Sequence, residues 1–240
     1  MRRSTANVEA IAEMQLAFAR AVERLSIDEL ERRIEVLTPF ATDARKARLD
    51  AVLGSRIGSL TILLDSLHDP FNGAAVVRSC DVFGLPRLHV VERSESFLAA
   101  RSVSRGSEQW VDIVTHRTGV VAAEHLVAAG FELVAAHPEG TLQPAELGSE
   151  RGRVALVLGN ERDGISVDVR ERCNRTVKIP MRGFAESLNV SVTTAILLYE
   201  LTKDRPGDLS RVERAQLYLR GLLQTIPKAQ EILDASMLAV

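Results

Sequence analysis

The first 58 residues carry their hydrophobic positions at helical spacing and contain no strand-like apolar run. Residues 26–29 (Ser-Ile-Asp-Glu) form a capping box, which predicts the start of a helix. Pro39 predicts the end of that helix, and Gly54 predicts the C-terminal stop of the next one. We therefore expect a helical N-terminal extension over residues 1–58. Its predicted helices cover residues 6–25, 27–37 and 42–53.

After Gly58 the pattern changes to short apolar runs with helical stretches between most of them. Near-continuous apolar strands that alternate with helices indicate a parallel sheet covered by helices on both faces. We predict this α/β domain over residues 59–205. Pro206 and Gly207 interrupt the last helix, and residues 206–240 are predicted to add two closing helices. The predicted strands are residues 60–64, 88–91, 111–114, 131–136, 154–158 and 176–179, and the clearest intervening helices are 73–83 and 119–129.

Composition excludes several classes of protein. A chain of 240 residues with 46% apolar content can bury a full core. We expect no leader, since no charged-then-apolar stretch follows Met1, and no apolar run is near the ~18 residues that a membrane span needs. Cys80 and Cys173 are too few for a disulfide framework and lack metal-ligand spacing. We expect a cytoplasmic protein with reduced thiols, no membrane partner and no metal.

The net charge of −2 gives no global indication of nucleic-acid binding, so any RNA surface must be local. Basic side chains cluster in three places, and the alternative for each cluster is an ordinary solvated helix face. We expect the N-terminal and closing helices to help hold RNA. The clustered residues are Arg2, Arg3, Arg45, Lys46, Arg48, Arg56, Arg101 and Arg105.

The stretch H-D-P-F-N-G-A-A-V-V-R at residues 68–78 follows the first predicted strand. The carboxyl ends of strands are where open α/β sheets bind ligands. Asn72 begins the following helix, and Arg78 falls on the side opposite its predicted core stripe. An alternative makes Asn72 a helix cap and Arg78 a surface residue paired with Asp81. The predicted stripe consists of Ala75, Val76, Cys80 and Phe83.

A second stretch, L-G-N-E-R-D-G-I-S at residues 158–166, follows the strongest predicted strand. Gly159 and Gly164 allow close backbone approach or a positive φ. The stretch matches neither a dinucleotide-binding fingerprint nor a Walker sequence. Ordinary turn chemistry is the alternative interpretation.

The third stretch, residues 178–200, predicts a strand end, a loop and a helix. Ser187 is a good N-cap candidate for that helix. Together with Asn189 and Ser191 it crowds the helix start with polar groups, where free N–H groups favour electron-rich ligands. This is the best candidate for a site. The predicted core face of the helix consists of Leu188, Val192, Ala195, Ile196 and Tyr199.

Together the three stretches resemble the motifs of the SpoU (TrmH) branch of the SPOUT methyltransferases, most specifically through I-P-M-x-G-x-x-x-S-L-N-V-S-V. The similarity runs from about Thr42 to the C-terminus and is greatest to members that methylate a D-loop guanosine of tRNA. It implies an α/β fold with a deep C-terminal trefoil knot, one of the rare exceptions to unknotted topology. It also implies a homodimer with active sites at the subunit interface, and S-adenosylmethionine as methyl donor.

The resemblance carries functional residues over by position. The catalytic set is Arg78, Asn72, Glu161, Ser187 and Asn189. The cofactor-binding set is Ala136, Leu158, Gly159, Ile179, Met181 and Leu188, with main-chain groups near Leu158 and Met181 contributing.

The sequence also departs from the family pattern in ways that concern the RNA more than the methyl transfer. Asp69 to Asn72 reads D-P-F-N where K-P-H-N is common, and Glu186 stands where glutamine is common. The first ~40 residues exceed the usual short basic N-terminal helix. One alternative substrate is 23S ribosomal RNA. Further alternatives are a knotted RNA-binding protein without catalysis, and a generic nucleotide-binding enzyme, for which no phosphate loop is visible.

The role of Arg78 has two interpretations. The resemblance implies a general base, yet neutralising an arginine side chain at pH 7 costs about 7.5–9 kcal/mol from its reference pKa of about 12.5–13.8. The alternative keeps the guanidinium charged, so that it holds a phosphate and stabilises the developing alkoxide. Asn72 would orient Arg78 or the ribose. Glu161, Ser187 and Asn189 would shape the dimeric pocket, and Ser187 could be only an N-cap.

Overall fold

A computed structural model describes residue 22 and residues 24–67, 69–91, 106–160 and 162–237. Most of the predicted helix over residues 6–25 lies outside these ranges, as does Glu161. The chain divides into two compact units. We call Ile57–Pro206 the sheet unit, and Met1–Arg56 with Gly207–Val240 the helical unit.

The sheet unit contains a six-stranded, entirely parallel sheet in the order β3-β2-β1-β5-β4-β6. This confirms the predicted α/β class and all six predicted strands. The strands are β1 (Leu60–Asp65), β2 (Arg87–Val91), β3 (Asp112–His116), β4 (Glu132–Ala136), β5 (Val154–Leu158) and β6 (Arg175–Val177). The helices are α3 (Pro70–Val82), α4 (Gly119–Ala128), α5 (Pro144–Ser149), α6 (Val167–Arg170) and α7 (Val190–Thr202), with a 3₁₀ turn at Ser107–Gln109.

Both faces of the sheet are covered, because successive residues of a strand point to opposite sides. Ile62 and Leu64 belong to the core formed with α3, α5 and α7. Leu63, between them, belongs to the core formed with α4 and α6. Every residue of β1 is buried, which explains its continuous apolar sequence.

The sixth strand is shorter than predicted. β6 ends at Val177 rather than Ile179, because the last residue pair that it forms with its neighbour β4 joins Ala136 to Val177, where β4 also ends. The following backbone pairs elsewhere: the Lys178 N–H donates to the Leu142 carbonyl at 3.0 Å. Strand length here is therefore set by the neighbouring chain rather than by the β-branched residues themselves.

The helical unit brings the two ends of the described chain together. Its helices are α1 (Ile27–Leu37), α2 (Asp43–Ser55), α8 (Arg211–Thr225) and α9 (Ala229–Met237), with a 3₁₀ turn at Thr38–Phe40. Helix α8 packs against α1 and α2, and α9 packs against α1. The predicted domain limits at residues 58 and 205 stay predictions. The segments before and after the sheet unit, Met1–Arg56 and Gly207–Val240, belong to one compact unit rather than to two.

Two details of the helical unit differ from the prediction. Helix α2 continues through Gly54 and ends at Ser55, because the chain becomes extended only at Arg56. Of the predicted basic group around Arg45, only Arg48 is exposed without an ion pair to a described residue: Arg56 is buried, and Lys46 pairs with Asp43 at 2.7 Å. Arg45 donates to the Gly221 carbonyl. No helix in the described ranges has the length and hydropathy to cross a membrane.

Candidate active site

A cavity of about 550 Å³ lies at the carboxyl ends of β4, β5 and β6. This is the edge at which open α/β sheets bind ligands. The six residues predicted to bind the cofactor all line it, and so do Ser187 and Asn189 of the predicted catalytic set. The lining from the predicted sets is Ala136, Leu158, Gly159, Ile179, Met181, Ser187, Leu188 and Asn189.

Several lining residues were not predicted. His137, Asn160, Arg162 and Thr193 also line the cavity. The Nδ1 atom of His137 accepts from the Glu139 N–H at 3.2 Å, so the ring turns this nitrogen toward its own loop. The position of His137 directly after a strand was the only sequence signal that marked it.

The loop after β5 is a tight turn whose glycines are required. A Cβ atom on Gly159 would overlap the backbone of Gly164 and Ile165, so only glycine fits there. Gly164 adopts a φ of 70° and pairs with Asn160 through two backbone hydrogen bonds of 3.0 and 3.1 Å. The Asn160 side chain closes the turn by accepting from the N–H groups of Arg162 and Asp163. The hydrogen bonds of this turn thus fix the backbone of residues 159–160 and 162–164 where it lines the cavity.

A buried carboxylate anchors the far end of this loop. Asp65, the last residue of β1, is 2% exposed. It accepts from the Ser166 N–H at 2.7 Å and from the Ser66 hydroxyl at 3.1 Å. Because Asp65 and Ser166 are far apart in sequence, no local pattern indicated this contact.

Residues 137–142 run beside β6, and His137 and Pro138 at their start line the cavity. Leu142 bridges in parallel to Val177, and Thr141 shares hydrogen bonds with Thr176. A Cβ atom on Gly140 would lie 2.7 Å from the Lys178 nitrogen. The loop therefore packs directly on the backbone that leads from β6 into the third motif.

The N-cap of α7 is Asn189, not Ser187 as predicted. The helix begins at Val190, and Asn189 Oδ1 accepts from the Ser191 N–H at 2.8 Å. Ser187 is two residues too early to reach those N–H groups, and it lines the cavity instead. This correction removes capping as an explanation of Ser187.

The predicted core face of α7 was also wrong. Val192 is 45% exposed, Ile196 37% and Tyr199 56%, and the preceding Leu188 is 40% exposed. We call these four residues the outer face of α7. The buried residues lie on the other side, because both sides of this helix are apolar and periodicity alone does not choose between them. They are Val190, Thr194, Leu197, Leu198 and Leu201.

The N-cap of α3 is Asp69, whose side chain accepts from the Phe71 N–H at 2.8 Å. Asn72 therefore lies inside the first turn and does not cap the helix. Its Oδ1 accepts from Asn189 Nδ2 at 3.0 Å, so the structure joins the first and third motifs directly. Ala75 is exposed and does not belong to the buried stripe, whereas Val76, Cys80 and their neighbours do.

Arg78 is exposed on the outer side of α3, as predicted, and forms no ion pair with any described residue. Neither Arg78 nor Asn72 is among the described residues that line the cavity. The structure thus brings Ser187 and Asn189 to the cavity, links Asn72 to Asn189, and leaves Arg78 on the adjoining helix. Within the described ranges, no group of three His, Cys, Asp or Glu side chains is placed to hold a metal.

Comparison with known proteins agrees with these motifs. The model of the SpoU rRNA Methylase family matches residues 59–199. A "tRNA (guanosine(18)-2'-O)-methyltransferase" of Borreliella burgdorferi is 33% identical over 214 residues, which cover 85% of this chain and 96% of that protein. The protein of the same name in Escherichia coli K12 is 32% identical over 73% of this chain and 74% of its own.

A third relative is named for a different substrate. The "23S rRNA (guanosine-2'-O-)-methyltransferase RlmB" of Xanthomonas axonopodis is 35% identical, over 62% of this chain and 60% of that protein. It therefore shares a smaller part of the chain than the two tRNA enzymes do.

Solved structures show the same fold. The TrmH/SpoU tRNA modifying enzyme of Aquifex aeolicus superposes with a TM-score of 0.66 at 28% identity, covering 83% of this chain and 99% of that one. An AdoMet-bound rRNA methyltransferase from Sinorhizobium meliloti gives a TM-score of 0.56 at 26% identity, covering 62% and 57%. With the family-model match over more than half of its length, the chain belongs to the SpoU rRNA Methylase family.

Proposed function

We propose that this protein transfers a methyl group from S-adenosylmethionine to the 2′-hydroxyl of a guanosine in tRNA, with guanosine 18 of the D-loop as the expected position. The supporting observation is the extent of the similarity to the tRNA enzymes. The alignment of this chain with the Borreliella protein covers 85% of the chain. This is more than the sheet unit, Ile57–Pro206, contains, so residues of the helical unit must also align. The 23S rRNA relative covers only 62%, an amount that the sheet unit could supply by itself.

The cavity suits S-adenosylmethionine. Its volume of about 550 Å³ is in the range of small-molecule sites, and its lining combines apolar side chains with Gly159 and Gly164. Gly159 keeps the wall free of a side chain, which lets backbone groups approach an adenine edge. The cofactor would be held by Ala136, Leu158, Gly159, Ile179, Met181 and Leu188. When bound, it supplies an electrophilic methyl group on a sulfonium, a chemistry that needs no metal.

The polar groups beside the cavity would bind and orient the ribose. We assign Arg78 to an adjacent phosphate and to the developing negative charge on the 2′-oxygen, with its guanidinium remaining charged. Its exposure and its lack of an ion pair with described residues support this role. Asn72 would position the ribose, and Ser187 and Asn189 would shape the cavity mouth. Glu161 keeps the role that the family motif gives it and lies outside the described residues.

The outer face of α7 supports a homodimer. Besides Val192, Ile196 and Tyr199, the preceding loop presents Phe184, which is fully exposed. Contiguous exposed apolar side chains mark interaction surfaces, and their position beside the cavity would place the active sites at a subunit interface. Sedimentation of wild type and of Ile196→Glu should give a dimer and a monomer, respectively. A monomeric wild type at micromolar concentration would rule out this assembly.

The finer fold and location are also proposals. We propose that the chain forms the trefoil knot of its family, supported by the passage of residues 137–142 beside β6 and by the packing of Gly140 on Lys178. An experimental chain trace through residues 137–190 would show whether it is threaded. A tRNA substrate also favours a cytoplasmic protein, which fractionation of cells that express it would test.

Transfer of labelled methyl groups tests the activity. The substrates are an unmodified tRNA transcript, the same transcript with 2′-deoxyguanosine at position 18, and 23S rRNA. We expect label on the first alone, because the deoxy transcript lacks only the accepting hydroxyl. Label on ribosomal RNA alone would mean that the substrate is 23S rRNA, the RNA for which the Xanthomonas relative is named, and not tRNA. Cofactor binding without transfer to any RNA would favour a non-catalytic RNA-binding protein.

A further inference from the structure

The loop after β4 begins with a tight turn at His137, a residue that lines the cavity. The His137 carbonyl accepts from the Gly140 N–H at 2.9 Å, and Pro138 occupies the second position of the turn, where proline is favoured. The His137 N–H donates to the Val177 carbonyl at 2.9 Å. Both backbone groups of His137 are therefore hydrogen-bonded, which fixes the base of its side chain relative to the end of β6.

The two ring nitrogens of His137 have different surroundings. Nδ1 lies 3.2 Å from the Glu139 nitrogen. Because a backbone N–H can only donate, Nδ1 must accept and cannot carry a proton. The neutral ring then carries its proton on Nε2, which becomes a hydrogen-bond donor. No described residue forms a hydrogen bond with Nε2. The turn thus leaves one donor for a ligand on a residue that lines the cavity.

The turn by itself does not require histidine. Asparagine and aspartate side chains accept from the N–H two residues further on in the same way. Histidine differs from them because it carries a second polar atom at the far edge of a rigid ring. The contact with Glu139 uses the near atom, so the far atom is the one that distinguishes His137 from a simple turn residue.

The surroundings of His137 suit the uncharged half of the cofactor. Ala136 precedes it in the chain, and Val177 accepts its N–H, so the lining beside it is apolar. Arg162 and Asp163, the acidic and basic residues of the described lining, both lie in the loop after β5 instead. The adenosine half of S-adenosylmethionine carries no charge, and its ring nitrogens and ribose oxygens accept hydrogen bonds.

We propose that His137 is a further cofactor-binding residue, whose Nε2–H donates a hydrogen bond to the adenosine half of S-adenosylmethionine. This deepens the proposed function and rests on it. The acceptor is a ring nitrogen of adenine or an oxygen of the ribose. The Glu139 N–H sets the tautomer of the ring, so the site presents a donor at this point before the cofactor arrives.

Two substitutions separate the turn from the donor. His137→Asn keeps an acceptor for the Glu139 N–H and loses the distant donor. His137→Gln places an NH₂ group near the position of Nε2 and loses the close acceptor. We expect His137→Asn to keep the melting temperature and to bind S-adenosylmethionine about three- to tenfold more weakly, as for the loss of one hydrogen bond.

The glutamine variant should behave in the opposite way. We expect His137→Gln to lower the melting temperature and to weaken binding less than twofold, with calorimetry and thermal unfolding as the measurements. Glu139→Ala is the matched control, because it keeps the backbone N–H and removes only an exposed side chain of the same turn. It should bind the cofactor as wild type does. Affinity that falls as far in His137→Gln as in His137→Asn would overturn the proposal.

A smaller ligand shows which half of the cofactor is contacted. 5′-Methylthioadenosine contains the adenosine and lacks the amino-acid half, so His137→Asn should weaken its binding by the same factor. Weaker binding of S-adenosylmethionine alone would contradict the assignment to adenosine. The 2′-deoxy and 3′-deoxy forms of methylthioadenosine then identify the acceptor. If the substitution has no effect on one of these forms, the acceptor is that ribose oxygen; if it weakens both, the acceptor is adenine.

A spectroscopic measurement tests the contact without any RNA. In protein labelled with ¹⁵N at histidine, the ring signals of residue 137 are identified by their loss in His137→Asn. We expect the Nε2–H tautomer in the free protein and a shift of the Nε2 signal when methylthioadenosine is added. An Nδ1–H tautomer, or an unshifted Nε2 signal with the ligand bound, would reject the contact even if wild type methylates tRNA. A shifted signal with no methylation of any RNA would support the contact and reject the proposed function.

Discussion

The basic side chains that join helices in the helical unit differ from those at the cavity of the sheet unit. In the helical unit, ion pairs join separate helices: Arg211 of α8 pairs with Glu31 of α1, and Arg214 of α8 pairs with Asp50 of α2. In the sheet unit, Arg162 lines the cavity and Arg182 follows the cavity residue Met181, and neither pairs with a described residue. The arginines between these helices are occupied by carboxylates, as is Arg175 elsewhere in the sheet unit. The arginines at the cavity remain open to a phosphate.

This difference changes where RNA contacts are expected. A surface ion pair contributes little to stability, about 0–1 kcal/mol, but it does occupy both partners. The exposed arginines without an ion pair to described residues include Arg48 in the helical unit and Arg78 and Arg182 in the sheet unit. Replacing Arg48 with the same residue as Arg78 or Arg182 therefore compares the contribution of an exposed arginine in the two units.

The largest effect is expected at Arg78. Arg78→Ala should lower kcat at least 100-fold, because removing a group that stabilises transition-state charge typically costs 10²–10³ in rate. The melting temperature should not change, since the side chain is exposed and makes no described ion pair. Arg48→Ala is the matched control and should retain full turnover. More than a tenth of wild-type turnover in Arg78→Ala would remove this residue from the chemistry.

Acid should destabilise the sheet unit through His89. Its Nδ1 lies 2.9 Å from Nε2 of His116, and its ring centroid lies 5.5 Å from that of His125. Burial, and then the charges of His116, Arg87 and His125, lower the pKa of His89 from 6.5 to about 3. The folded state therefore favours the neutral ring. Its contribution to stability is complete above pH 6.5 and is lost as the pH falls toward 3.

At pH 4.5 the unfolded histidine is protonated and the folded one is not, which costs about 2–3 kcal/mol of unfolding free energy. Chemical denaturation at pH 7.5 and pH 4.5 measures this loss. Between pH 7.5 and pH 4.5, we expect the unfolding free energy of His89→Gln to fall by about 2 kcal/mol less than that of wild type. An equal loss in both proteins would show that His89 does not carry the acid sensitivity.

Gly159 tests the backbone wall of the cavity. Gly159→Ala should reduce S-adenosylmethionine affinity at least tenfold and lower the unfolding free energy by about 1–3 kcal/mol, because the added Cβ overlaps Gly164 and Ile165. Gly152→Ala is the control, since a Cβ there has no atom within 4 Å. Calorimetry gives the affinity and denaturation gives the stability. Normal cofactor binding by Gly159→Ala would place the cofactor elsewhere.

The smallest expected effect compares one exposed arginine from each unit. Arg182→Glu should weaken tRNA binding about five- to tenfold and flatten its salt dependence, because a phosphate contact releases a counterion. Arg48→Glu should change the affinity less than twofold. Filter binding across a salt series measures both. A larger effect of Arg48→Glu would assign the RNA surface to the helical unit instead.

Sequence patterns identified the strands and the glycines after β5 because those depend on local chemistry, whereas the cofactor-binding set came from the family resemblance. The apolar run of β5 is explained by burial on both faces of the sheet. Gly159 after it is explained by the close approach of the backbone. Gly159 could therefore be placed correctly without coordinates, and so could the carboxyl end of β4, whereas β6 ends two residues earlier than predicted.

The remaining features depend on contacts between distant parts of the chain. Ser187 and Asn189 can both cap a helix, and the contact of Asn189 with Asn72 is visible only in three dimensions. Asp65 is joined to Ser166 by folding alone. For α7, the outer face is as apolar as the inner one, so Val192 was assigned to the core although it is 45% exposed. The surface that a second subunit would cover in the proposed homodimer has the same apolar pattern as a core.

The most direct test of the proposed activity is the identity of the methylated nucleoside. Unmodified tRNA is incubated with the protein and S-adenosylmethionine, digested to nucleosides and analysed by mass spectrometry, with Arg78→Ala in parallel. The proposal predicts 2′-O-methylguanosine from position 18 with wild type, and at least 100-fold less with Arg78→Ala. A methyl group on a base, or no methylated nucleoside from tRNA, would contradict it.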